Sequence, residues 1–146
     1  VSLASTRYDV VIGSDLISRA GALLAPVLPR KAAIIITDET VGALYLNRLE
    51  EALAQTGIAT RSLTVPPGER SKNIDTYAGL VDSILKEGVE RRTSIIALGG
   101  GVVGDLAGLV ASTPLRRLPL VQIPPTLLPP LDPSAGRNPG VHPRVA

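Results

Sequence analysis

The chain has 146 residues, a length that suits one globular domain and can bury a substantial core. Hydrophobic residues make up 45% of it and charged residues 19%, which excludes an intrinsically disordered chain. The net charge is only +2 and aromatic residues make up 2%, with no basic stripe interleaved with aromatics, so we expect no nucleic-acid partner.

The sequence also bears on the cellular compartment of the protein and on whether the chain is complete. It has no Cys, which excludes disulfides and thiolate metal sites within the chain and suits a cytoplasmic protein. No apolar run reaches the roughly 18 residues of a membrane span, so we expect no membrane partner. There is no Met anywhere, including position 1, and we therefore expect a fragment of a longer protein.

The first half of the chain alternates between strand and helix patterns. Short β-branched or continuous apolar runs predict strands over residues 8–12, 32–36 and 58–65. Ser14 is a suitable N-cap for a helix that reaches residue 24, and apolar residues at helical spacing predict a second helix over 44–55.

The same alternation continues up to residue 123. A helix is predicted to open at Ser71 and to end at Lys86, before Gly88. Its apolar face is predicted to comprise Ile74, Tyr77, Leu80, Val81, Ile84 and Leu85. A strand over 94–98, a helix over 102–111 and a strand over 118–123 follow. Strands separated by helices predict an α/β fold with a Rossmann-like, doubly wound parallel sheet and flanking helices.

The end of the chain has a different composition. Nine of the 13 prolines follow residue 113, and prolines inside a helix each cost about 3 kcal/mol. We therefore expect residues 1–123 to form the α/β domain and residues 124–146 to be irregular. His142, the one histidine, lies in this segment, and no metal site is predicted from it.

A glycine-rich turn is the strongest local motif. Gly99, Gly101 and Gly104 fit G-x-G-x-x-G between a predicted strand and helix, a pattern that lets backbone approach a pyrophosphate at a helix N-terminus. The acidic ribose ligand expected about 20 positions later is absent, so a standard dinucleotide site is not established. The alternative explanation of the glycines is a tight strand-to-helix turn, and the alternative for Asp105 is a role as a first-turn partner of the helix dipole only.

Polar residues follow two other predicted strands. Asp38 and Thr40 come after one, and Glu69 and Lys72 come after the next. Ligands of open α/β sheets bind beyond the carboxyl ends of strands, so these loops and the glycine turn are expected to line one crevice. Each residue, taken singly, is also explained as a solvated turn or a helix cap.

Combined, these segments resemble the 3-dehydroquinate synthase family. The resemblance rests on residues 98–108, on 121–124, and on the loop that holds Pro67, Gly68, Glu69, Ser71 and Lys72. Leu115, Arg116, Thr126, Leu127, Leu128, Asp132 and Ser134 extend it. The GGGxxxD pattern alone also suits iron-dependent alcohol and glycerol dehydrogenases, but the combination is specific.

The resemblance implies an NAD-dependent phosphorus-oxygen lyase of the shikimate pathway. Such an enzyme converts 3-deoxy-arabino-heptulosonate 7-phosphate to 3-dehydroquinate and phosphate, with NAD and a divalent metal, zinc or cobalt. Arg116 and Asp132 would fall at substrate positions. The NAD-binding residues by the same resemblance are Asp38, Thr40, Glu69, Lys72, Gly100, Gly101, Val102, Asp105 and Thr126.

Departures from the family pattern limit what this chain is expected to do alone. Asn138 stands where the family has the lysine of a GGK motif, and the family's metal ligands belong to a helical C-terminal domain that is expected to be missing. We therefore expect the isolated chain to be inactive, and a homodimer is possible by resemblance. The alternatives are a related sugar-phosphate cyclase, such as 2-deoxy-scyllo-inosose synthase, or a non-catalytic nucleotide-binding fragment.

Overall fold

The computed structural model describes residues 2–3, 8–10, 16–86, 92–112 and 118–124, with side chains from residue 17 onward. The predicted irregular segment lies outside these ranges, apart from Pro124. The elements, in chain order, are strand β1 (Ser2–Leu3), β2 (Tyr8–Val10), helix α1 (Leu16–Leu24), β3 (Ala32–Asp38), α2 (Glu39–Ala54), β4 (Ala59–Val65), a 3-10 turn (Glu69–Ser71), α3 (Ile74–Lys86), β5 (Ser94–Leu98), α4 (Gly101–Ala111) and β6 (Leu120–Ile123).

The strands form one sheet in the order β1-β2-β6-β5-β3-β4. Strands β2, β6, β5, β3 and β4 are parallel, which confirms the predicted α/β fold with a parallel sheet. The two-residue strand β1 was not predicted, and it pairs antiparallel with β2 at the sheet edge. Two residues carry no periodic signal, so a strand this short is not recognisable in the sequence.

Helices cover both faces of the sheet. Ala33 and Ile35 of β3 belong to a core that includes buried residues of α1 and α2. Ile34 and Ile36 belong to a second core, with buried residues of α3 and α4. Successive side chains of a strand point to opposite faces, so a run of apolar residues buries both faces at once.

Two helices begin elsewhere than predicted, because caps rather than apolar periodicity fix their starts. Helix α2 begins at Glu39, five residues before the predicted start, since the Asp38 carboxylate accepts a hydrogen bond from the Val41 N–H at 2.8 Å. Helix α3 begins at Ile74 and not at Ser71. The side-chain oxygen of Asn73 accepts from the Thr76 N–H at 2.9 Å, while Ser71 ends the 3-10 turn.

The apolar face predicted for α3 is too wide. Leu80 and Ile84 are buried, and Tyr77 and Val81 pack against the same core. Ile74 and Leu85 are wrong as members of this face, since they are 78% and 56% exposed. At 3.6 residues per turn, both lie roughly 100° around the helix from the buried pair, beyond the surface that the sheet and α4 cover.

Candidate functional site

The order in which strands are added to the sheet reverses between the neighbouring strands β3 and β5. From β3 the chain continues through α2 to β4 on one side, whereas from β5 it continues through α4 to β6 on the other side. The carboxyl ends of β3 and β5 therefore flank a topological switch point, the place where open α/β sheets bind their ligands. Asp38 ends β3, and the glycine turn follows β5.

The three glycines of that turn have different structural requirements. A Cβ at Gly99 would lie 2.9 Å from the Cβ of Val103, so the fold itself requires glycine there. Within the part of the chain that the structure describes, a Cβ at Gly100 or at Gly101 would meet no atom within 4 Å. Packing against the described residues therefore does not explain these two glycines, whereas the close approach of an external group would.

Helix α4 starts at this open surface. Gly100 is its N-cap, and no side chain among the described residues caps the helix there. The first-turn N–H groups, including that of half-buried Val102, have no partners within the helix and lie at the positive end of its dipole. Such an end is suited to an anion, and a pyrophosphate approaching it would pass over the open side of Gly100 and Gly101.

The other predicted cofactor residues of the switch point lie at the start of α2. Asp38 is half-buried and caps the helix, so the capping interpretation of this residue is confirmed. Thr40 is exposed in the first turn. One residue earlier, the buried Thr37 donates a hydrogen bond from Oγ1 to the carbonyl of Leu98 at 2.6 Å, which joins the ends of β3 and β5.

Lys72 and Asp105 form an ion pair beside the glycine turn. Their Nζ and Oδ2 atoms are 3.0 Å apart, with both side chains more than half exposed. The hydrogen bond and charge of Asp105, with a smaller contribution from Glu69, raise the pKa of Lys72 above its usual 10.5. The loop after β4 thus contacts α4, the helix that follows the glycine turn. That the three loops line one crevice stays a prediction.

Gly68 gives this loop its shape. It has φ of 87°, a conformation that L side chains rarely adopt, and it precedes the short turn that carries Glu69. Ser71 is buried, and its hydroxyl donates to the Pro66 carbonyl. These two features direct the chain from β4 over the sheet edge toward α4.

Some predicted residues lie outside this arrangement, and some contacts were not predicted. Arg116, Thr126 and Asp132 lie outside the described residues. The role of Thr37 was missed, although a threonine at the end of an apolar run is a visible signal. A groove of about 280 Å³ beside the ion pair was missed as well. It is lined by Lys72, Asn73, Ile74, Tyr77, Asp105, Leu106 and Leu109.

In the described part of the chain, no three His, Cys, Asp or Glu side chains are grouped so that they could hold a metal ion. No helix there is both long enough and apolar enough to cross a membrane.

Comparison with known protein families shows to which family the chain belongs. A sequence model described as "3-dehydroquinate synthase N-terminal" matches residues 62–145, which include the Lys72 loop, the glycine turn and α4. The chain belongs to the 3-dehydroquinate synthase family. Among curated members, the 3-dehydroquinate synthase of Cereibacter sphaeroides is 46% identical over 142 residues, which are 97% of this chain and 38% of that protein. The enzyme of Nitrosomonas europaea is 47% identical over 135 residues, 92% of this chain and 36% of its own. The chain therefore spans less than two-fifths of the length of these 3-dehydroquinate synthases.

Solved structures of related cyclases share the fold of this 3-dehydroquinate synthase family member. A 2-epi-5-epi-valiolone synthase from Streptomyces hygroscopicus, with NAD+ and Zn2+ bound, is 35% identical with a TM-score of 0.68. The match covers 80% of this chain and 32% of that one. A 2-deoxy-scyllo-inosose synthase complexed with carbaglucose-6-phosphate, NAD+ and Co2+ is 25% identical with a TM-score of 0.69, covering 80% and 31%.

Proposed function

We propose that this chain is the NAD-binding part of a 3-dehydroquinate synthase. The whole enzyme converts 3-deoxy-arabino-heptulosonate 7-phosphate to 3-dehydroquinate and phosphate. The observation that carries the proposal is the pair Gly100 and Gly101, which face open space at the uncapped N-terminus of α4, at the switch point of the sheet. Membership of the family and NAD+ in two similar structures support it.

The proposed binding mode follows from charge and backbone geometry. The pyrophosphate lies over Gly100, Gly101 and Val102 and accepts hydrogen bonds from the first-turn N–H groups of α4. Lys72 supplies a positive charge to the phosphates, since a lysine is protonated at neutral pH and Asp105 shifts the pKa of Lys72 further upward. Asp105 holds the Lys72 ammonium in place.

Carboxylates and hydroxyls around the crevice complete the cofactor site. We assign ribose and other polar contacts of NAD to Asp38, Thr40, Glu69 and Asp105, whose oxygens accept hydrogen bonds from hydroxyls. Thr126 joins this group by family position only. Arg116 and Asp132 are assigned to the substrate, where a guanidinium can bind a phosphate bidentately.

In this proposal, NAD supplies the redox chemistry and the residues of this domain bind the cofactor. Bound NAD supplies a reversible hydride acceptor for a substrate hydroxyl, and the residues of this domain bind and orient it. The described residues do not fit a divalent metal, so we place no metal-dependent step on them. We propose that the 146-residue chain binds NAD without turnover.

The comparisons give less support to one alternative predicted from the sequence, a 2-deoxy-scyllo-inosose synthase. The two cited curated 3-dehydroquinate synthases are 46% and 47% identical to this chain, whereas the 2-deoxy-scyllo-inosose synthase structure is 25% identical. The other alternative, a non-catalytic nucleotide-binding role, differs from the main proposal only in the activity of the whole protein, because both have this chain bind NAD. We further propose a sugar-phosphate substrate, a homodimeric whole enzyme and a cytoplasmic location.

Alanine substitutions in the glycine turn test the proposal. Gly100→Ala and Gly101→Ala are each expected to weaken NAD binding about tenfold or more, measured by isothermal titration calorimetry, because the methyl group occupies the space of the pyrophosphate. The melting temperature should not fall, since neither methyl group meets an atom of the described residues.

Gly79→Ala is the matched control, because this helical glycine also faces open space but lies in α3. It should bind NAD like the wild type. Lack of NAD binding by the wild-type chain would refute the cofactor assignment. Unchanged NAD binding in both glycine-turn variants would refute the proposed position of the pyrophosphate.

A further inference from the structure

Thr37 connects the two halves of the proposed cofactor site. Its side chain is fully buried at the end of β3, where it is in register with Leu98 at the end of β5. One half of the site, at the start of α2, follows Thr37 in the chain, and the other half, the glycine turn, follows Leu98. Any contact between these two residues therefore sets the spacing of the crevice.

The contact fixes the peptide unit from which the glycine turn departs. The carbonyl of Leu98 accepts the Thr37 hydroxyl hydrogen at 2.6 Å, toward β3. The N–H of Gly99, in the same peptide unit, donates to the carbonyl of Ile123 at 3.2 Å, toward β6. Hydrogen bonds on both sides hold the plane of this peptide, and with it the direction in which the next two residues leave the sheet.

The methyl group of Thr37 lies beside Gly42, in the first turns of α2. A Cβ at Gly42 would lie only 3.0 Å from Thr37 Cγ2, so α2 approaches the end of β3 closely because residue 42 is glycine. The helix that Asp38 caps is thus packed on the same side chain whose hydroxyl holds the glycine turn. The hydroxyl of Thr37 thus positions the glycine turn, and its methyl group packs at the start of α2.

We infer that Thr37 is a positioning residue for the cofactor, whose hydroxyl fixes the orientation of the Gly99–Gly101 turn relative to the start of α2. Thr37 need not touch the ligand, because it acts through the Leu98 carbonyl. The inference rests on the proposed function only in naming NAD as the ligand. The orientation of the turn itself can be measured without NAD.

Two substitutions separate the hydroxyl from the methyl group. Thr37→Val retains the methyl contact and removes the hydrogen bond, which leaves the buried Leu98 carbonyl without that donor. It is expected to raise the Kd for NAD about tenfold. Thr37→Ser retains the hydroxyl and should bind NAD within about twofold of the wild type. Ile35→Val, a buried change on the same face of β3, is the control for a general loss of stability.

Hydrogen exchange of the Gly99 amide gives a second measurement that does not involve NAD. Exchange should be faster in Thr37→Val and unchanged in Thr37→Ser and Ile35→Val. If Thr37→Ser binds NAD as weakly as Thr37→Val, the role is one of packing and the inference is wrong. Normal NAD affinity with normal exchange in Thr37→Val would also overturn it. If the wild type binds no NAD, the proposed function fails, and amide exchange alone decides the role of Thr37.

Discussion

Lys72 is paired with the carboxylate of Asp105 in α4, and we propose that its charge serves ligand binding more than the stability of the fold. The ion pair with Asp105 is more than half exposed on both sides. Exposed pairs contribute little to folding, because water and salt screen them. The same exposure leaves the Lys72 ammonium accessible to a phosphate, which competes with Asp105 for it.

Removing this charge tests the assignment at the residue scale. Lys72→Met is expected to weaken NAD binding about tenfold, since a charge-assisted hydrogen bond to phosphate is lost. Its melting temperature should stay close to that of the wild type. Lys86→Met is the control, because Lys86 forms a similar exposed pair with Asp82, at 3.1 Å, at the far end of α3. Equal NAD affinity of the two variants would show that Lys72 does not bind the cofactor.

The pH dependence follows from the direction of the pKa shift. The folded-state pKa of Lys72 is raised above 10.5, so its pairing stabilises the fold fully below that pH and is lost as the pH rises through the higher folded value. The tenfold difference between wild type and Lys72→Met should therefore be constant from about pH 6 to pH 9. Titration calorimetry in that range checks it, and a difference that disappears by pH 9 would contradict the stated direction.

At the scale of secondary-structure elements, the packing of α1 on α2 requires a glycine, whereas the packing of α3 does not. A Cβ at Gly21 in α1 would lie 2.4 Å from the carbonyl oxygen of Ala52 in α2, so these helices are in close contact at that point. The helices of the other face show a contrast at Gly79 in α3, where a Cβ would meet nothing within 4 Å.

Alanine at these two helical glycines should have opposite effects. Gly21→Ala is expected to lower the free energy of unfolding by about 2 kcal/mol or more, because α1 must move away from α2. Gly79→Ala should raise it by about 0.5–1 kcal/mol, since alanine has the better helix propensity and meets no obstacle. Urea unfolding curves measure both. Similar midpoints for the two variants would contradict the described contact between α1 and α2.

Prediction from sequence succeeded where one local signal was sufficient. The continuous apolar runs of β3 and β5 identified two strands buried on both faces, and the glycine turn identified the start of α4. Helix starts were less accurate, because apolar spacing does not reveal that Asp38 caps α2. The strand order, and with it the pairing of Lys72 with Asp105, depends on contacts between distant segments, which no local pattern encodes.

At the scale of the whole molecule, the sheet separates two apolar cores. Ile17 of α1 lies in one core and Ile84 of α3 in the other, and both are at least 96% buried. Side chains on opposite faces of a sheet share few neighbours, so changes in one core are not transmitted strongly to the other.

Two conservative substitutions test this separation. Ile17→Val and Ile84→Val should each reduce the free energy of unfolding by about 0.5–1.5 kcal/mol. The double variant should show the sum within about 0.5 kcal/mol, because Ile17 and Ile84 lie in different cores. Urea unfolding of the three variants measures the coupling, and a coupling above 1 kcal/mol would mean that the two cores act as one unit.

The pairing of β2 with β6 has a consequence for the order in which the domain assembles. Tyr8 is in register with Leu120, about 110 positions further along the chain. Chain synthesis proceeds from the N-terminus, so β2 is made early and has no parallel neighbour until β6 has left the ribosome. Strands β3, β4 and β5 can associate before then, through pairings between segments closer in sequence. During synthesis, therefore, β2 is the strand of this sheet that waits longest for its parallel partner.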